Sequence, residues 1–444
     1  MSYIPNSPLI RRRMLDEVGI SDFEELIKSV PASLRLQRPL ILPNPLSELE
    51  LEREVREIAA RNSDVDSCFA GGGAYDHFIP AAVDHILLRS EYYTAYTPYQ
   101  AEVSQGTLQT MYEFQTFISR LTGLGVTSAS LYDGATALAE AVLLAASHTR
   151  KNEILISQSV NPYYIETVET YLSGQETTVK YLKTLDGTTD IADLRNKISD
   201  KTAAVVIQNP NFFGQIERIK DIASDIKSNG ALLIEIYDPL ALGILSSPAE
   251  NGADLAVAEG QGLGISLNFG GPYLGLLSAR REFLRKMPGR LSGRTKDKEG
   301  RVGYVMTLQT REQHIRRERA TSNICTNQAL CALAASVYMS LLGQKGLEKI
   351  GRLCLSKARY AAEKISELPG YSLKFTGPFF KEFVIETPIP PARINNKLLK
   401  KGILAGIDMG KFKLGMKGCL MVAVTEKRSK RQIDDLVFEL SKAG

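Results

Sequence analysis

The sequence predicts an α/β fold, with a mostly parallel sheet in a large domain and a small α+β domain at the C-terminus. Three observations carry that expectation. Short runs that are apolar on both faces recur along the chain: "EILIS" (Glu153 to Ser157), "AAVVIQ" (Ala203 to Gln208), "ALLIEIY" (Ala231 to Tyr237) and "DLAVA" (Asp254 to Ala258). Strands without a polar face belong in a parallel sheet covered by helices on both sides. The segments between them, such as "ERIKDIASDIKSNG", are long enough for crossover helices. Beyond residue 335 the pattern changes to a long helix, then to short strands and a closing helix.

Taken in order, residues 1–60 read as a helical segment. In "ISDFEELIKSV", Ser21 followed by Glu24 forms a capping-box pattern before an apolar-periodic run. Residues 61–335 form the large domain. Its helix "QGTLQTMYEFQTFISRLTGL" places Leu108, Met111, Phe114, Phe117, Ile118 and Leu121 on one face. The alanine-rich helix "DGATALAEAVLLAA" reads as buried. Residues 336–444 form the small domain, with strands at "LKFTG", "FVIET" and "CLMVAVTE" and a last helix at "KRQIDDLVFELSKA".

Composition is that of an ordinary globular chain: 444 residues, 44% hydrophobic, 23% charged, formal charge +4. No apolar run of about 18 residues is present, so no membrane span is expected. The start "MSYIPNSPLIRRRMLDE" lacks an apolar signal core, which makes the cytoplasm the expected compartment. The basic clusters "LIRRRM" and "HIRRERA" read as solvated helix faces. No aromatics are interleaved with them, so nucleic acid is not an expected partner. The five cysteines (Cys68, Cys325, Cys331, Cys354, Cys419) contain no C-x-x-C, and the four histidines are scattered. Neither pattern suggests a structural metal.

The glycine-rich stretch "AEGQGLGISLNFGGP" (Ala258 to Pro272) follows a strand and invites a phosphate-loop reading. It fails on context. A dinucleotide loop opens a helix, whereas this one leads into "YLGLLS", another strand. A phosphate-binding G-K-[S/T] loop needs a lysine, and none lies between Lys227 and Lys286.

A large α/β domain, a small C-terminal domain and a helical N-terminal segment together suggest the aspartate-aminotransferase-like fold of pyridoxal-phosphate enzymes. Such a site needs an acid at a strand end for the pyridinium nitrogen, a helix N-terminus for the phosphate and a lysine for the Schiff base. Asp238, directly after "ALLIEIY", is a candidate for the first, or simply a turn residue before Pro239. Asp133, Gly134 and Thr136 are candidates for the second, or a plain helix cap. The third is absent. The lysine's place falls in the glycine loop, near Gln261 and Gly262.

Several long stretches resemble the P-protein of the glycine cleavage system, in the form split over two chains, subunit 1. They are "AGGGAYDHFIP" (Ala70 to Pro80), "EYYTAYTPYQAEVSQGTLQTMYEFQT" (Glu91 to Thr116), "ASLYDGATALAEA" (Ala129 to Ala141) and "TLQTREQHIRRERATSNICTNQALCALAA" (Thr307 to Ala335). "YIPNS" and "VTEKRSK" extend the likeness across essentially the whole chain. The resemblance implies a heteromeric enzyme that decarboxylates glycine, releases CO2 and passes the aminomethyl group to the lipoyl group of H-protein. Glycine dehydrogenase subunit 2 would carry the lysine and pyridoxal 5'-phosphate. No covalent cofactor is then expected on this chain. Its own cofactor-like residues, Asp133, Gly134, Thr136, Asn161 and Asp238, would be vestigial, with Asn161 standing where a catalytic relative has a histidine.

On this reading the chain completes or stabilises its partner's active site, or else plays a purely structural part. The loop "YYTAYTPYQAEVSQG" is the candidate contributor, through Thr94, Tyr96, Tyr99, Gln100, Glu102, Ser104 and Gln105. Its tyrosines follow no helical or strand period. An interface loop, or a helix cap at Ser104, is the simpler account. Arg311, His314, Arg317 and Asn323 in "TREQHIRRERATSN" are further candidates, or members of an exposed, salt-bridged helix.

Overall fold

The computed structural model describes residues 6–443 except 269, 321, 325 and 326, so Cys325 lies outside the described residues. The chain forms two compact units, 1–63 and 64–444. In the first, α1 (Pro8–Val18) is capped by Ser7 and stopped by Gly19, and α2 (Glu48–Ala59) starts on a capping box between Ser47 and Glu50. The helix expected after Ser21 lasts only Phe23–Leu26. Its N-cap is Asp22, which accepts from Glu25 N at 3.1 Å. With no buried residue on this helix, local propensity alone does not prolong it.

The second unit is built on a seven-stranded sheet of β1 (Val126–Thr127), β2 (Glu153–Ser157), β3 (Thr178–Leu182), β4 (Thr202–Asn209), β5 (Leu232–Tyr237), β6 (Leu255–Glu259) and β7 (Gly275–Ala279), in the order β1-β7-β6-β5-β4-β2-β3. Strands β2 to β6 pair in parallel, and β7 runs antiparallel to both its neighbours. Alternate residues enter different cores, as two-sided apolar strands require. Ile154, Ile156, Val206 and Ile234 pack with α4 (Gly134–Thr149) and α5 (Pro162–Leu172). Leu155, Val205, Ile207 and Leu233 face Ile222 and Ile226 of α6 (Lys220–Ser228). Nearer β6 and β7 the second face meets Phe114 and Ile118 of α3 (Gln105–Thr122) and Tyr338 of α7 (Ala329–Ser366).

Helix α7 is long and apolar enough to cross a membrane by length and composition alone. Its apolar side chains instead fill two cores: Ala332, Tyr338 and Met339 on one side of a break at Gly343, and Ala358, Ala361 and Ile365 on the other. The second of these cores also packs a four-stranded antiparallel sheet of β8 (Ser372–Leu373), β9 (Glu382–Glu386), β10 (Ile407–Asp408) and β11 (Cys419–Ala423), in the order β8-β9-β11-β10. The closing helix α8 (Lys430–Ala443) buries Ile433, Leu436 and Leu440 there. The strand expected at "LKFTG" is reduced to Ser372–Leu373, because the chain then turns so that Phe379 can bridge to Gln215.

Candidate functional site: a cradle at the strand ends

A parallel sheet gathers the residues after its strands into one crevice. Here that crevice receives Asp238 after β5, Glu259 at the end of β6, Gln208 in β4 and Asn161 at the start of α5, and Glu259 ties the N-terminus of α4 to it. Segments 73–75 and 380–382 close it. The three sequence-predicted groups Asp238, Asn161 and Gly134 are therefore brought together.

Each is already engaged. Asp133 caps α4 by accepting from Thr136 N at 2.7 Å, and the Thr136 hydroxyl completes the box. Their side chains thus serve the helix cap. Gly134 N donates to Glu259 Oε2 at 3.0 Å. Any Cβ at Gly134 would collide with the Tyr164 hydroxyl and stand 2.9 Å from Glu259 N, so glycine is required by close approach. Asn161 Nδ2 donates to Gly72 O at 2.9 Å, and its Oδ1 accepts from Tyr163 N at 3.0 Å.

Asp238 accepts from Leu240 N at 3.0 Å and forms an ion pair with Lys381 Nζ at 2.6 Å. Burial works against its charge, but the Lys381 ammonium outweighs it and holds the carboxyl below its usual range. Lys381 is 3% exposed; its ammonium also lies 3.5 Å from the Tyr75 ring centre and 3.2 Å from His77 Nε2. His77 Nδ1 in turn is 2.6 Å from Glu426 Oε2. Since Lys381 can only donate, Nε2 must accept and Nδ1–H must donate to Glu426, which fixes the tautomer from the network. Burial and the neighbouring ammonium lower the His77 pKa, consistent with a neutral ring. Burial would raise Glu426, yet the hydrogen bond from His77 holds it at about 2.

Two further acids complete the cradle. Burial pushes Glu259 up to about 7, against the N–H donors of Gly134, Leu274 and Gln261. It pushes Glu382 to about 7 as well, although Gly72 N and the Tyr75 hydroxyl donate to it at 2.6 and 2.7 Å. That contact explains part of the glycine run: a Cβ on Gly71 would stand in the Glu382 carboxylate. At the expected lysine position, Gln261 is 1% exposed. Its amide bonds Tyr75 N, Tyr75 O and Ile265 O, so it staples the glycine loop to residue 75.

His77, Cys354 and Glu426 also form a group of metal-ligand type, their ligand atoms lying within 4.8 Å of one another. An ion there would have to break the direct His77–Glu426 bond.

The second set of candidates lies apart from the cradle's lining. Thr94 ends a short helix, Ser90–Tyr93, and donates its hydroxyl to Ser90 O. Tyr96, Tyr99, Gln100 and Glu102 are exposed. Ser104 precedes α3 without a side-chain cap bond, so the cap expected there does not form. Gln105 bonds both N and O of Tyr304, fixing the loop to the hairpin Leu291–Lys296/Val302–Thr307. The segment 309–319 divides into a 3-10 turn at Gln309–Arg311, one exposed helical turn at Gln313–Arg316 and a second 3-10 turn at Arg317–Arg319; Arg317 has φ +54°, so the exposed helix considered for it is only one turn long. Arg311 is committed to the carbonyls of Leu308, Met287 and Gly289. Asn323 is exposed. His314 does meet the loop: its ring lies edge-on to Tyr99 at 5.9 Å, and Arg290 lies 5.9 Å from the Tyr99 ring centre. Glu312 stands 3.6 Å from His314 and 3.8 Å from Arg290.

Sequence reasoning missed Lys381, His77, Glu426 and Glu382. His77 and Glu426 lie in the quoted stretches "AGGGAYDHFIP" and "VTEKRSK"; Lys381 gives no local signal.

The parallel sheet with a cradle at its strand ends defines a class, the pyridoxal-phosphate-dependent transferase fold of the aspartate-aminotransferase type. Glutamate decarboxylase from Lactobacillus brevis shares it at TM-score 0.71 and 13% identity, over 93% of this chain and 95% of that one. The chain belongs to the glycine cleavage system P-protein family, whose model matches residues 1–440. It is 51% identical over 99% of both chains to a probable glycine dehydrogenase (decarboxylating) subunit 1 from Chloroherpeton thalassium. A relative of the same name from Carboxydothermus hydrogenoformans is 52% identical over 98% of each chain. A glycine decarboxylase (P-protein) of the glycine cleavage system, solved in inhibitor-bound form, matches all of both chains at TM-score 0.90 and 38% identity.

Proposed function

We propose that this chain is subunit 1 of a two-subunit glycine decarboxylase and works with a lysine-bearing second subunit that holds pyridoxal phosphate. In the reaction, the carboxyl carbon of glycine leaves as CO2. The aminomethyl carbon bonds to one lipoyl sulfur of H-protein, and the other sulfur of that disulfide is reduced to a thiol. The observation that carries the reading is the 51% identity over 99% of both chains with a relative named for this subunit. The absence of a lysine near Gln261 and Gly262, where one is expected, accords with a chain that is silent alone.

The tyrosine loop is the part we assign to the partner's site. Tyr96, Tyr99 and Glu102 are exposed, while Gln105 and Thr94 hold the loop's shape. Among the residues of 311–323, His314 joins that face through Tyr99, whereas Arg311 supports the backbone.

Glycine decarboxylation with lipoylated H-protein is to be measured for each subunit alone and for the mixture. The mixture is expected to turn over and this chain alone to be inactive. Full activity from the second subunit alone would sink the proposal.

A further inference from the structure

Enzymes of this fold hold pyridoxal phosphate at two charged points, the ring nitrogen on a strand-end acid and the phosphate on a helix N-terminus. In this chain both points are taken by its own side chains. Lys381 Nζ lies 2.6 Å from Asp238 Oδ2, where a pyridinium would pair. Glu259 Oε2 lies 3.0 Å from Gly134 N, at the helix start where a phosphate oxygen would sit. Each replacement matches the sign of the group it displaces: an ammonium for a pyridinium, a carboxyl for a phosphate.

With Asp238 already paired to Lys381 and Gly134 N already engaged by Glu259, neither charged point is free for the cofactor, so the residues present do not fit it.

We propose that the cradle is a closed cofactor site liganded by the chain itself, with Lys381 in the pyridinium position and Glu259 in the phosphate position. What fastens it is the buried chain Glu426–His77–Lys381–Asp238. Its members come alternately from the C-terminal residues 381 and 426 and from residues 77 and 238 beside the parallel sheet, with separations of 2.6, 3.2 and 2.6 Å. The ion pair thereby clamps the C-terminal sheet onto the strand ends, a place that a bound cofactor fills elsewhere in the fold. The assembled enzyme then holds one cofactor per pair of chains. This inference rests on the fold, not on the glycine reaction, so failure of the activity assay leaves it standing.

The test is equilibrium dialysis of the full chain against pyridoxamine phosphate. That analogue keeps the ring nitrogen and phosphate but has no aldehyde for surface lysines to capture. The wild-type chain is expected to show no saturable binding below about 1 mM, and the Lys381→Ala/Glu259→Ala variant, which vacates both positions, at least a tenfold gain in affinity. Saturable wild-type binding of one analogue per chain, weakened by Asp238→Asn, would overturn the proposal. So would a folded double variant that still refuses the analogue. Should that variant not fold, the wild-type dialysis still decides, together with a thermal cycle on Lys381→Met and Asp238→Asn. The two together are expected to lower Tm by less than the sum of the single shifts; strict additivity would remove the ion pair from the argument.

Discussion

The cradle and the tyrosine loop differ in how far their polar groups are committed within the chain. In the cradle, Lys381 faces Asp238, His77 faces Glu426, and Glu259 gathers three backbone donors. In the loop, Tyr96 is 78% exposed, and Tyr93, Tyr99 and Val103 also present large apolar surfaces to solvent. Buried charge is tolerated only when paired. Exposed aromatics with polar tips are what interfaces recruit. The cradle, which by its fold would be the chemical centre, serves as framework; the open loop is the face we propose the chain offers a partner. Substitutions in the two regions should therefore be read by different instruments, the first by stability and the second by turnover of the complex.

The largest expected effect is on the framework side. Lys381→Met leaves Asp238, 15% exposed at its side chain, without its cation. Breaking one side of a buried pair costs about 3–5 kcal/mol. Denaturant unfolding of the isolated chain reads it, and a loss under about 1 kcal/mol would mean the pair is better solvated than its geometry indicates.

Glu235, in the strand that Asp238 follows, sharpens the contrast. Three residues before Asp238, it is buried with an amide, Asn251 Nδ2 at 3.0 Å, in place of a cation, and burial raises it to about 8. An acid whose folded pKa lies above its unfolded value favours folding at low pH and loses that contribution as pH rises from about 4.5 to 8. Glu235→Gln removes the titration, so the variant should gain on wild type across that window, by roughly 2–4 kcal/mol at pH 9 relative to pH 5. Glu426 has the opposite sign: held at about 2, its contribution is present above about 4.5 and fades as pH falls toward 2. Tm measured from pH 5 to 9 on both proteins settles the first point; parallel curves would contradict it.

Gly134→Ala comes next. Its new methyl meets the Tyr164 hydroxyl and Glu259 N, an overpacking worth about 1–3 kcal/mol. Thermal unfolding should show the loss without any change in the loop's function. An unchanged Tm would mean that α4 and α5 shift apart more easily than their shared core suggests.

Much of this was legible in the sequence, and the limits have physical causes. Two-sided apolarity located β2, β4, β5 and β6; a strand end suggested Asp238, a helix start suggested Gly134, and the family resemblance added Asn161. Lys381 was invisible because its partner lies 143 positions away (381 − 238) and is reached only through the four-stranded sheet. A lone lysine inside "FFKEFVIE" looks like a solvated strand residue until tertiary packing buries it. The same blindness applied to 309–319, where left-handed backbone at Leu308 and Arg317 breaks a pattern that charge spacing alone reads as helix. Local pattern fixes elements; which face meets which is a long-range property.

The smallest expected change in stability belongs to Tyr96→Phe, and it is the one that bears on function. The side chain is exposed, so removing its hydroxyl should move the isolated chain's stability by no more than about 0.5 kcal/mol. If the loop enters the partner's site, the same hydroxyl is a donor and acceptor there, and its loss should lower kcat of the mixture about tenfold or more with assembly intact. Tyr99→Phe should differ, because that ring is already held edge-on by His314 and its packing survives the substitution. The two variants thus separate a projecting group from a supporting one. Unchanged kcat for both at saturating partner would reduce the chain to a scaffold, and would move the search for its contribution away from residues 92–105 altogether.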